Sequence, residues 1–533
     1  MVRVRAADVR LARLAPASLA ISLMAFTALL AEDAAAQGLP PPEPYQVVDA
    51  NGVSLTTGSF SSPAHRISIG PDQGGLSFSA HYDSGVRDWR YSTFGALVKE
   101  QKPHSNLQWV SVTVMGASGT FLRTATGPYV RFDGDGELSA SDVYTALDGS
   151  VAAFNSGIDA VVPYNANAGA IATLTRLDGE VITYHYSIKP GTSRIGRLQS
   201  VTNNRGYQIH LQYASNAADS DWQRLVKVTA LNNAVDPCVP TASSCTFTQT
   251  WPSLTFAQAS PAPGTVEQTV TDALGRATRY SLNNGLLYHI RRPSQPNLDT
   301  LDITYTAYPA LTPNVRVATV SNGAGTWSYW MEEPPTNDPY YYELTTRITD
   351  PLNNQTHIEV SSTDEEPLTD HRIVRVASVM NPLNQTTAYG YSNAYRLQSV
   401  TRPEGDISEY GYTDRGELST ILNKAKPASG LASTSLSATF STGCPANPAL
   451  CNRPLTMTDA LGGVTDYTYD AAGNLLTETG PAPTPGAARP QTRYQWEQRY
   501  AWYKQNGSSA ITQAASPVWV QVGSSQCMTG ATC

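Results

Sequence analysis

Tyr467-Thr-Tyr469-Asp470-Ala-Ala-Gly473-Asn-Leu475 is the stretch of sequence that decides the fold. Side chains alternate across an extended strand, so the rings of Tyr467 and Tyr469 lie on one face. Asp470 and Gly473 supply the local cap and the positive φ of a tight reversal, and Leu475 opens a second strand. The stretch therefore predicts a β-hairpin that carries two aromatic rings on the same side.

The same pattern recurs in register elsewhere in the chain. Residues 197–202 (RLQSVT) return unchanged at 396–401, and a glycine, Gly206 or Gly405, follows four residues after each copy. A turn motif of the form Asp/Asn-Pro/Ala-Leu-Asn/Gly stands at 272–275, 350–353, 381–384 and 459–462. In three copies a leucine follows six residues after the second tyrosine: Tyr389, Tyr391 and Leu397; Tyr410, Tyr412, Gly416 and Leu418; Tyr467, Tyr469, Asp470, Gly473 and Leu475. Such self-similarity is typical of tandem repeats.

One hairpin of this kind cannot bury its own tyrosines, because isolated hairpins are marginally stable in water. We therefore expect neighbouring units to stack and to bury their rings against each other, each ring contact adding about 0.5–1.5 kcal/mol beyond area burial. The composition agrees, since the chain has 28 Tyr, only 10 Phe, 41% hydrophobic residues and 15% charged residues. Tyrosine suits a half-buried pleated surface, so the predicted fold class is all-β.

The segment 467–475 resembles the YD repeat of the RHS/YD-repeat proteins, and 410–418 is a second close copy. Residues 53–58, 67–69, 74–78 and 81–84 are similar to the segment that leads into the repeats in such proteins, so the resemblance covers about 46–480. It implies tandem YD-type β-hairpin repeats in a coiled β-sheet strip, a partial shell, after a β-rich N-terminal region. The chain has fewer units than a full shell, with no clear closing core, autocleavage segment or toxin-like domain. We expect an N-terminal portion or a truncated member.

The chain begins with the pattern of a secretory signal. Four arginines in the first 13 residues precede an apolar run at 19–31 and the small residues Ala34, Ala35 and Ala36. The run is shorter than the ~20 residues of a spanning helix, so we expect cleavage after Ala36 and no integral membrane segment afterwards. The expected location is exported: periplasmic, cell-surface or secreted. The predicted organisation is a signal peptide (1–36), a linker (37–45), a β-rich pre-repeat region (46–172), the repeats (173–480) and a Pro-rich linker with an incomplete C-terminal β segment (481–533).

The six cysteines support export, because they fall into three pairs whose members are close together in the sequence. An oxidising compartment and short loops favour the pairs Cys238–Cys245, Cys444–Cys451 and Cys527–Cys533. Each loop would add on the order of 2–3 kcal/mol in the chain-entropy model. A zinc site is the weaker interpretation, since the usual ligand spacing and histidine partners are lacking.

No sequence pattern predicts catalysis, a cofactor or a metal ion. The eight histidines lack a metal-binding spacing, and no nucleophile elbow, phosphate loop or dinucleotide fingerprint occurs. Residues 133–137 (DGDGE) alternate acidic side chains like a Ca²⁺ loop, but Leu138 and Tyr144 stand where such a loop needs Gly and Glu, which favours a hairpin turn. A net charge of −8 argues against nucleic-acid binding.

The main functional hypothesis is a non-enzymatic exported scaffold that forms all or part of a β-shell. As the resemblance implies, its partners would be a polypeptide cargo, such as a toxin, or further repeat segments, or it would act at the envelope surface. The alternative is an extracellular adhesin or carbohydrate-binding module, in which Trp327, Trp330 and the tyrosines at 340–342 stack on glycans. An undetected hydrolase is a third hypothesis that rests on chain size alone.

Overall fold

A computed structural model describes residues 39–40, 42, 47–92, 95–101, 107–114, 117–124, 128–159, 168–295, 298–307, 315–332, 342–363, 373–392, 396–441 and 447–527. The predicted signal peptide, Cys444 and Cys533 lie outside these residues. A membrane-spanning helix was sought among the described residues and none was found.

The described residues form strands and three short 3-10 turns, without an α-helix. The strands of the first part are β1 His65–Ile69, β2 Leu76–Asp83, β3 Asp88–Tyr91, β4 Ala96–Gln101, β5 Leu107–Val114, β6 Ala117–Thr124, β7 Val130–Gly134, β8 Glu137–Leu138, β9 Val143–Thr145, β10 Val151–Asn155, β11 Ala168–Thr175, β12 Val181–Ile188, β13 Gly196–Asn203, β14 Tyr207–Tyr213, β15 Leu225–Asn232, β16 Ser253–Ala259, β17 Thr265–Asp272, β18 Ala277–Asn283 and β19 Leu286–Arg291. Those of the second part are β20 Leu301–Ala307, β21 Val315–Asn322, β22 Gly325–Met331, β23 Tyr342–Thr349, β24 Gln355–Thr363, β25 Ile373–Met380, β26 Thr386–Tyr391, β27 Leu397–Thr401, β28 Ile407–Tyr412, β29 Leu418–Lys424, β30 Thr434–Phe440, β31 Pro454–Thr458, β32 Val464–Tyr469, β33 Leu475–Thr479, β34 Gln491–Arg499, β35 Trp502–Lys504, β36 Ile511–Gln513 and β37 Val518–Cys527. The predicted all-β fold is confirmed.

Most strands belong to one long antiparallel sheet. From β8 and β9 to β34 each strand pairs with the next along the chain, and β37 then pairs with β34. The sheet branches at β11, which pairs with β12 along one half of its edge and with β4 along the other, and β4 leads to β5, β6 and β7. No pairing of described residues joins β37 to β4 or β7 to β8, so the sheet is an open strip.

Consecutive hairpins reverse direction, so their turns alternate between the two edges of the strip. We call edge A the edge that carries the turns at 146–150, 176–180, 204–206, 233–252, 273–276, 350–354, 381–385 and 459–463. Edge B is the opposite edge, with the turns at 189–195, 284–285, 392–396, 413–417, 447–453, 470–474 and 500–517.

Edge B of the later strands lies against edge A and the adjoining strands of the earlier part. Arg415 lies 3.3 Å from the Glu137 carboxylate, and Arg396 Nε donates to Asp135 Oδ1 at 3.1 Å. Further along, the Trp519 amide donates to the Asp178 carbonyl at 2.7 Å. Because these contacts run in the same order along both edges, β26–β37 return onto β7–β15 and the strip coils.

Candidate functional site

The repeated hairpins share one irregularity at the same position. The register predicted from spacing is found, because Tyr391, Tyr412 and Tyr469 each stand directly across from the leucine six residues later. In every one of these pairs the register shifts at the tyrosine, so two residues of the second strand face one residue of the first. Such a bulge increases the local twist and re-aims the side chain beside it.

The tyrosine at each bulge forms a hydrogen bond with the preceding hairpin. Tyr412 Oη donates to the Leu397 carbonyl at 2.7 Å, which lies 15 residues earlier in the chain. The same spacing recurs in Tyr186 to Ile171, Tyr213 to Leu198, Tyr391 to Val376 and Tyr469 to Pro454, at 2.6–3.0 Å. Leu397 is itself the partner of Tyr391 across the preceding hairpin. The tyrosines therefore form a recurring series of strand-to-strand bonds, which we call the ladder, and the face that carries them is the ladder face.

An arginine precedes several of the carbonyl acceptors and covers the ring of the same tyrosine. Arg197 lies over Tyr213 at 4.3 Å, while Arg396 over Tyr412 and Arg453 over Tyr469 are each at 5.8 Å. Burial raises the pKa of Tyr412 to about 12. At these three tyrosines the cation therefore lies against the ring whose hydroxyl makes the strand-to-strand bond.

Turn chemistry follows the sequence prediction. Asp470 Oδ1 accepts hydrogen bonds from the amides of Ala472 and Asn474, both at 2.9 Å, and Gly473 adopts φ +80°. A side chain at Gly473 would collide with the Ala449 carbonyl, so the close approach of the 447–453 turn requires glycine there.

The ladder face of the early repeats is covered by the N-terminal part of the same chain. Trp89 packs edge-on against Tyr280 with the ring centroids 5.2 Å apart, and Tyr82 Oη donates to the Gly285 carbonyl at 2.5 Å. Further along the strip, Thr346 Oγ1 donates to the Leu55 carbonyl at 2.8 Å. The segment 47–91 therefore lies along β13–β24 on the ladder face.

Leu39 lies on the ladder face of the later repeats. Its side chain is 7% exposed and packs with Ile421 and Ala438, and the partly buried hydrophobic residues around this cluster are Tyr410, Leu418, Leu436, Phe440 and Met457. The ladder face thus carries N-terminal residues in both halves of the strip: the segment 47–91 on the earlier repeats and Leu39 on the later ones.

The sequence overestimated how far neighbouring rings bury each other. Tyr184, Tyr213, Tyr280 and Tyr329 are at most 9% exposed, and all four lie in the half of the strip that the N-terminal segment covers. The later tyrosines Tyr389, Tyr391, Tyr410, Tyr412, Tyr467 and Tyr469 are only half-buried. The physical reason is that hairpins of one sheet lie side by side, so their shared face needs a second layer to exclude water.

The other residues that the sequence singled out have structural surroundings. Asp135 binds Arg396 across the coil, and the chain bends at Asp135 and Gly136 between β7 and β8. Trp327 and Trp330 cannot form one sugar platform, because they point to opposite faces of β22: Trp327 packs on the core, while Trp330 is 45% exposed with Arg347 over its ring at 5.0 Å.

Cys238 and Cys245 form a disulfide with their Cα atoms 5.8 Å apart. Cys451 and Cys527 are disulfide-bonded too. Their expected partners, Cys444 and Cys533, lie outside the described residues, so those two pairings stay predictions. The loop that the Cys238–Cys245 bond closes covers β13 and β14, where Ser200 Oγ donates to the Pro240 carbonyl at 2.7 Å.

Two features of the ladder escaped the sequence interpretation, namely the bulge and the hydroxyl-to-carbonyl bond. A signal for them was present: an arginine stands 16 residues before Tyr213, Tyr412 and Tyr469. The cluster of His289, Asp299 and Asp302 also went unnoticed, since its members belong to one strand, a turn and the next strand without a metal-binding spacing.

Comparison with known proteins places one unit in a named family. The model of the RHS Repeat family matches residues 452–484, which contain β31, β32 and β33 with Tyr469 and Leu475. No curated protein matches the sequence.

Among solved structures, the chain is similar to a Photorhabdus luminescens Tc holotoxin pore carrying a TccC3 mutation, at 13% identity and a TM-score of 0.30, covering 86% of this chain and 26% of that one. It is also similar to a TcdB2-TccC3 crystal structure, at 14% identity and a TM-score of 0.29, covering 84% and 26%. The chain thus spans about a quarter of the length of those solved chains.

Proposed function

We propose that this chain, an RHS-repeat protein with its matched repeat at 452–484, is an exported, non-enzymatic scaffold whose strip forms part of a β-shell around a polypeptide cargo. The observation that carries the proposal is that N-terminal residues of the same chain lie on the ladder face. Leu39 lies on the later repeats and residues 47–91 lie on the earlier ones. A surface that lodges its own N-terminal segment has the chemistry to lodge another chain.

The chemistry of the later ladder face suits a polypeptide. Its half-buried tyrosines combine an apolar ring with a hydroxyl, and the hydroxyls of Tyr391, Tyr412 and Tyr469 already bond backbone carbonyls within the strip. Beyond the cluster around Leu39, the ring of Tyr467 is half-buried and its hydroxyl lies 3.7 Å from Met457 Sδ. We expect this part of the face to take the cargo.

Further repeat segments are the second partner that we propose, and edge A is their docking edge. Early turns on edge A are already covered by edge B of the later strands, as where Asn204 Nδ2 donates to Ser516 Oγ at 3.1 Å. Four later turns on edge A instead present leucines that are 76–97% exposed: Leu274, Leu352, Leu383 and Leu461. Further repeat strands that continue the coil would bury these leucines, as edge B of the later strands covers the early turns of edge A.

Export is supported by the charge and apolar pattern of residues 1–36 and by the Cys238–Cys245 disulfide, since disulfides persist in oxidising compartments. N-terminal sequencing of the exported protein tests this point. We expect the mature chain to begin at Gln37.

Site-specific photo-crosslinking tests the cargo proposal. In the purified mature chain, benzoylphenylalanine at position 410 should crosslink to a peptide that contains Leu39, because Tyr410 packs in its cluster. In the producing cells, the same probe at position 467 should crosslink to a polypeptide. Thr468, which is exposed on the other face of β32, is the matched control. Equal crosslinking at 467 and 468, or none at 467, would contradict the proposal.

A further inference from the structure

Three ligand-type side chains converge on the turn between β19 and β20. His289 Nδ1 lies 2.6 Å from Asp302 Oδ1 and 3.5 Å from Asp299 Oδ2. One ligand atom from each of the three residues lies within 4.8 Å of the other two. The side chains project from the face of the strip opposite Ile290 and Leu301, both of which are buried.

The backbone that carries this cluster is fixed. His289 and Asp302 are direct partners in the register of β19 and β20. The turn that bears Asp299 is held next to them, because both the amide and the hydroxyl of Thr300 donate to the Ile290 carbonyl, at 2.8 and 2.9 Å. Because hydrogen bonds already hold the backbone of all three residues in place, little conformational entropy is lost when an ion binds.

The hydrogen bonds of the cluster leave one interaction unmade. A single nitrogen, His289 Nδ1, faces two carboxylates, and one N–H can serve only Asp302, since 3.5 Å is too long for a hydrogen bond to Asp299. Arg291 Nε donates to Asp299 Oδ1 at 2.5 Å and thereby orients this carboxylate, leaving Oδ2 towards the imidazole. Ligating carboxylates in metal sites are commonly held by such outer partners.

We propose that His289, Asp299 and Asp302 bind a divalent transition-metal ion of the Zn²⁺ class. Ligand bonds of about 2.0–2.2 Å in tetrahedral geometry place ligand atoms about 3.4 Å apart. The Nδ1 to Asp299 distance already fits, and the Nδ1 to Asp302 distance must open by a side-chain rotation. The ion takes the place of the proton on Nδ1, and the neutral imidazole then carries its proton on Nε2.

Charge and solvent access agree with a cation here. Within the cluster, the two carboxylates of Asp299 and Asp302 outnumber the one bonded cation, Arg291. The side chains of His289, Asp299 and Asp302 are 43%, 25% and 47% exposed, so water can complete the coordination. The imidazole favours Zn²⁺ over Ca²⁺, which takes oxygen ligands. A bound ion would tie the turn between β19 and β20 to both of these strands.

Isothermal titration of the oxidised mature chain with Zn²⁺ tests the proposal, with Ca²⁺ as the comparison. We expect one saturable Zn²⁺ equivalent, an increase in thermal midpoint, and weaker Ca²⁺ binding. His289→Gln and Asp302→Asn should each weaken Zn²⁺ binding by at least about tenfold, in the range that loss of metal-site partners produces. Omitting reductant keeps Cys238 and Cys245 in their disulfide, which removes the other His-containing cluster from the titration.

His357→Gln is the matched control, because His357 is a partly exposed strand histidine on β24. This variant should bind Zn²⁺ as the unmodified chain does, and far-UV circular dichroism should show all variants folded. A structural ion pair alone would give no saturable Zn²⁺ binding, and surface adsorption would give binding that His289→Gln and Asp302→Asn leave unchanged. Either result overturns the proposal.

Discussion

The hydroxyl of Tyr412 donates to the carbonyl of Leu397 at 2.7 Å. The identical hexapeptide earlier in the chain makes the same bond, since Tyr213 donates to Leu198 at 2.6 Å. Both tyrosines follow a turn with a positive-φ glycine, Gly405 or Gly206. Sequence identity over six residues therefore corresponds to an identical hydrogen-bonding role, which ties the repeat in the sequence to the repeat in the structure.

The ladder hydroxyls should contribute to stability beyond their rings. Tyr469→Phe removes the bond to the Pro454 carbonyl and should lower the free energy of unfolding by about 0.5–1.5 kcal/mol. Tyr467→Phe is the control, because its hydroxyl contacts only a thioether, at 3.7 Å, among the described side chains. Urea denaturation of both variants measures the difference. Equal stability losses would show that the ladder bond adds nothing.

The contacts across the coil should be stronger than ordinary surface pairs. Arg415 is 10% exposed in its side chain and lies near Glu137 and Glu417 at 3.3 and 3.5 Å. Arg415→Met leaves Glu417, which is 4% exposed, without this cation and should cost on the order of 3 kcal/mol. Lys426→Met breaks the exposed pair with Glu404 and should cost about 0–1 kcal/mol. Chemical denaturation of the two variants compares their free energies of unfolding. Similar losses would contradict a buried contact between the later and earlier strands.

Leu39 should anchor the N-terminal segment to the later repeats. Leu39→Ala should lower the free energy of unfolding by about 2 kcal/mol or more, as removal of a buried leucine side chain does. Leu461→Ala, at a turn residue that is 97% exposed, should change it by less than about 0.5 kcal/mol. Faster amide exchange in β28–β31 of the Leu39 variant would locate the effect. An unchanged free energy of unfolding would contradict the placement of Leu39 on the ladder face.

Alkaline pH should weaken the fold through its buried tyrosines. Burial raises the pKa of Tyr412 to about 12 and that of Tyr280 further, whereas an unfolded phenol ionises near ~10. The protonated rings therefore contribute fully below about pH 10, and their contribution is lost as the pH rises from there towards about 12. Phenolate absorbance and circular dichroism should change together in this range. Complete titration near pH 10 with the fold intact would contradict the burial.

The spacing of residues in the sequence was enough to predict the hairpins, but not to predict which parts of the chain pack on them. The step of six residues from Tyr391 to Leu397 gave the cross-strand pair, because a tight turn allows few alternatives. The bulge at this pair and the return of Arg396 to Asp135 depend on the twist accumulated over many strands, which no local pattern encodes. Likewise, nothing near Leu39 in the sequence points to Ile421, since the two meet only after the strip coils.

The distance between residues 235 and 509 tests the coiled strip most directly. Lys504 Nζ, on edge B of the later strands, donates to the Val235 carbonyl, on edge A of the earlier strands, at 2.8 Å. Both Val235 and Ser509 are exposed enough to carry spin labels. In an uncoiled strip the two positions would lie about 90 Å apart, at a strand spacing of about 4.8 Å. Double electron–electron resonance on the oxidised, doubly labelled chain should give a distribution centred well below half of that length. The absence of any such short-distance population would contradict the account.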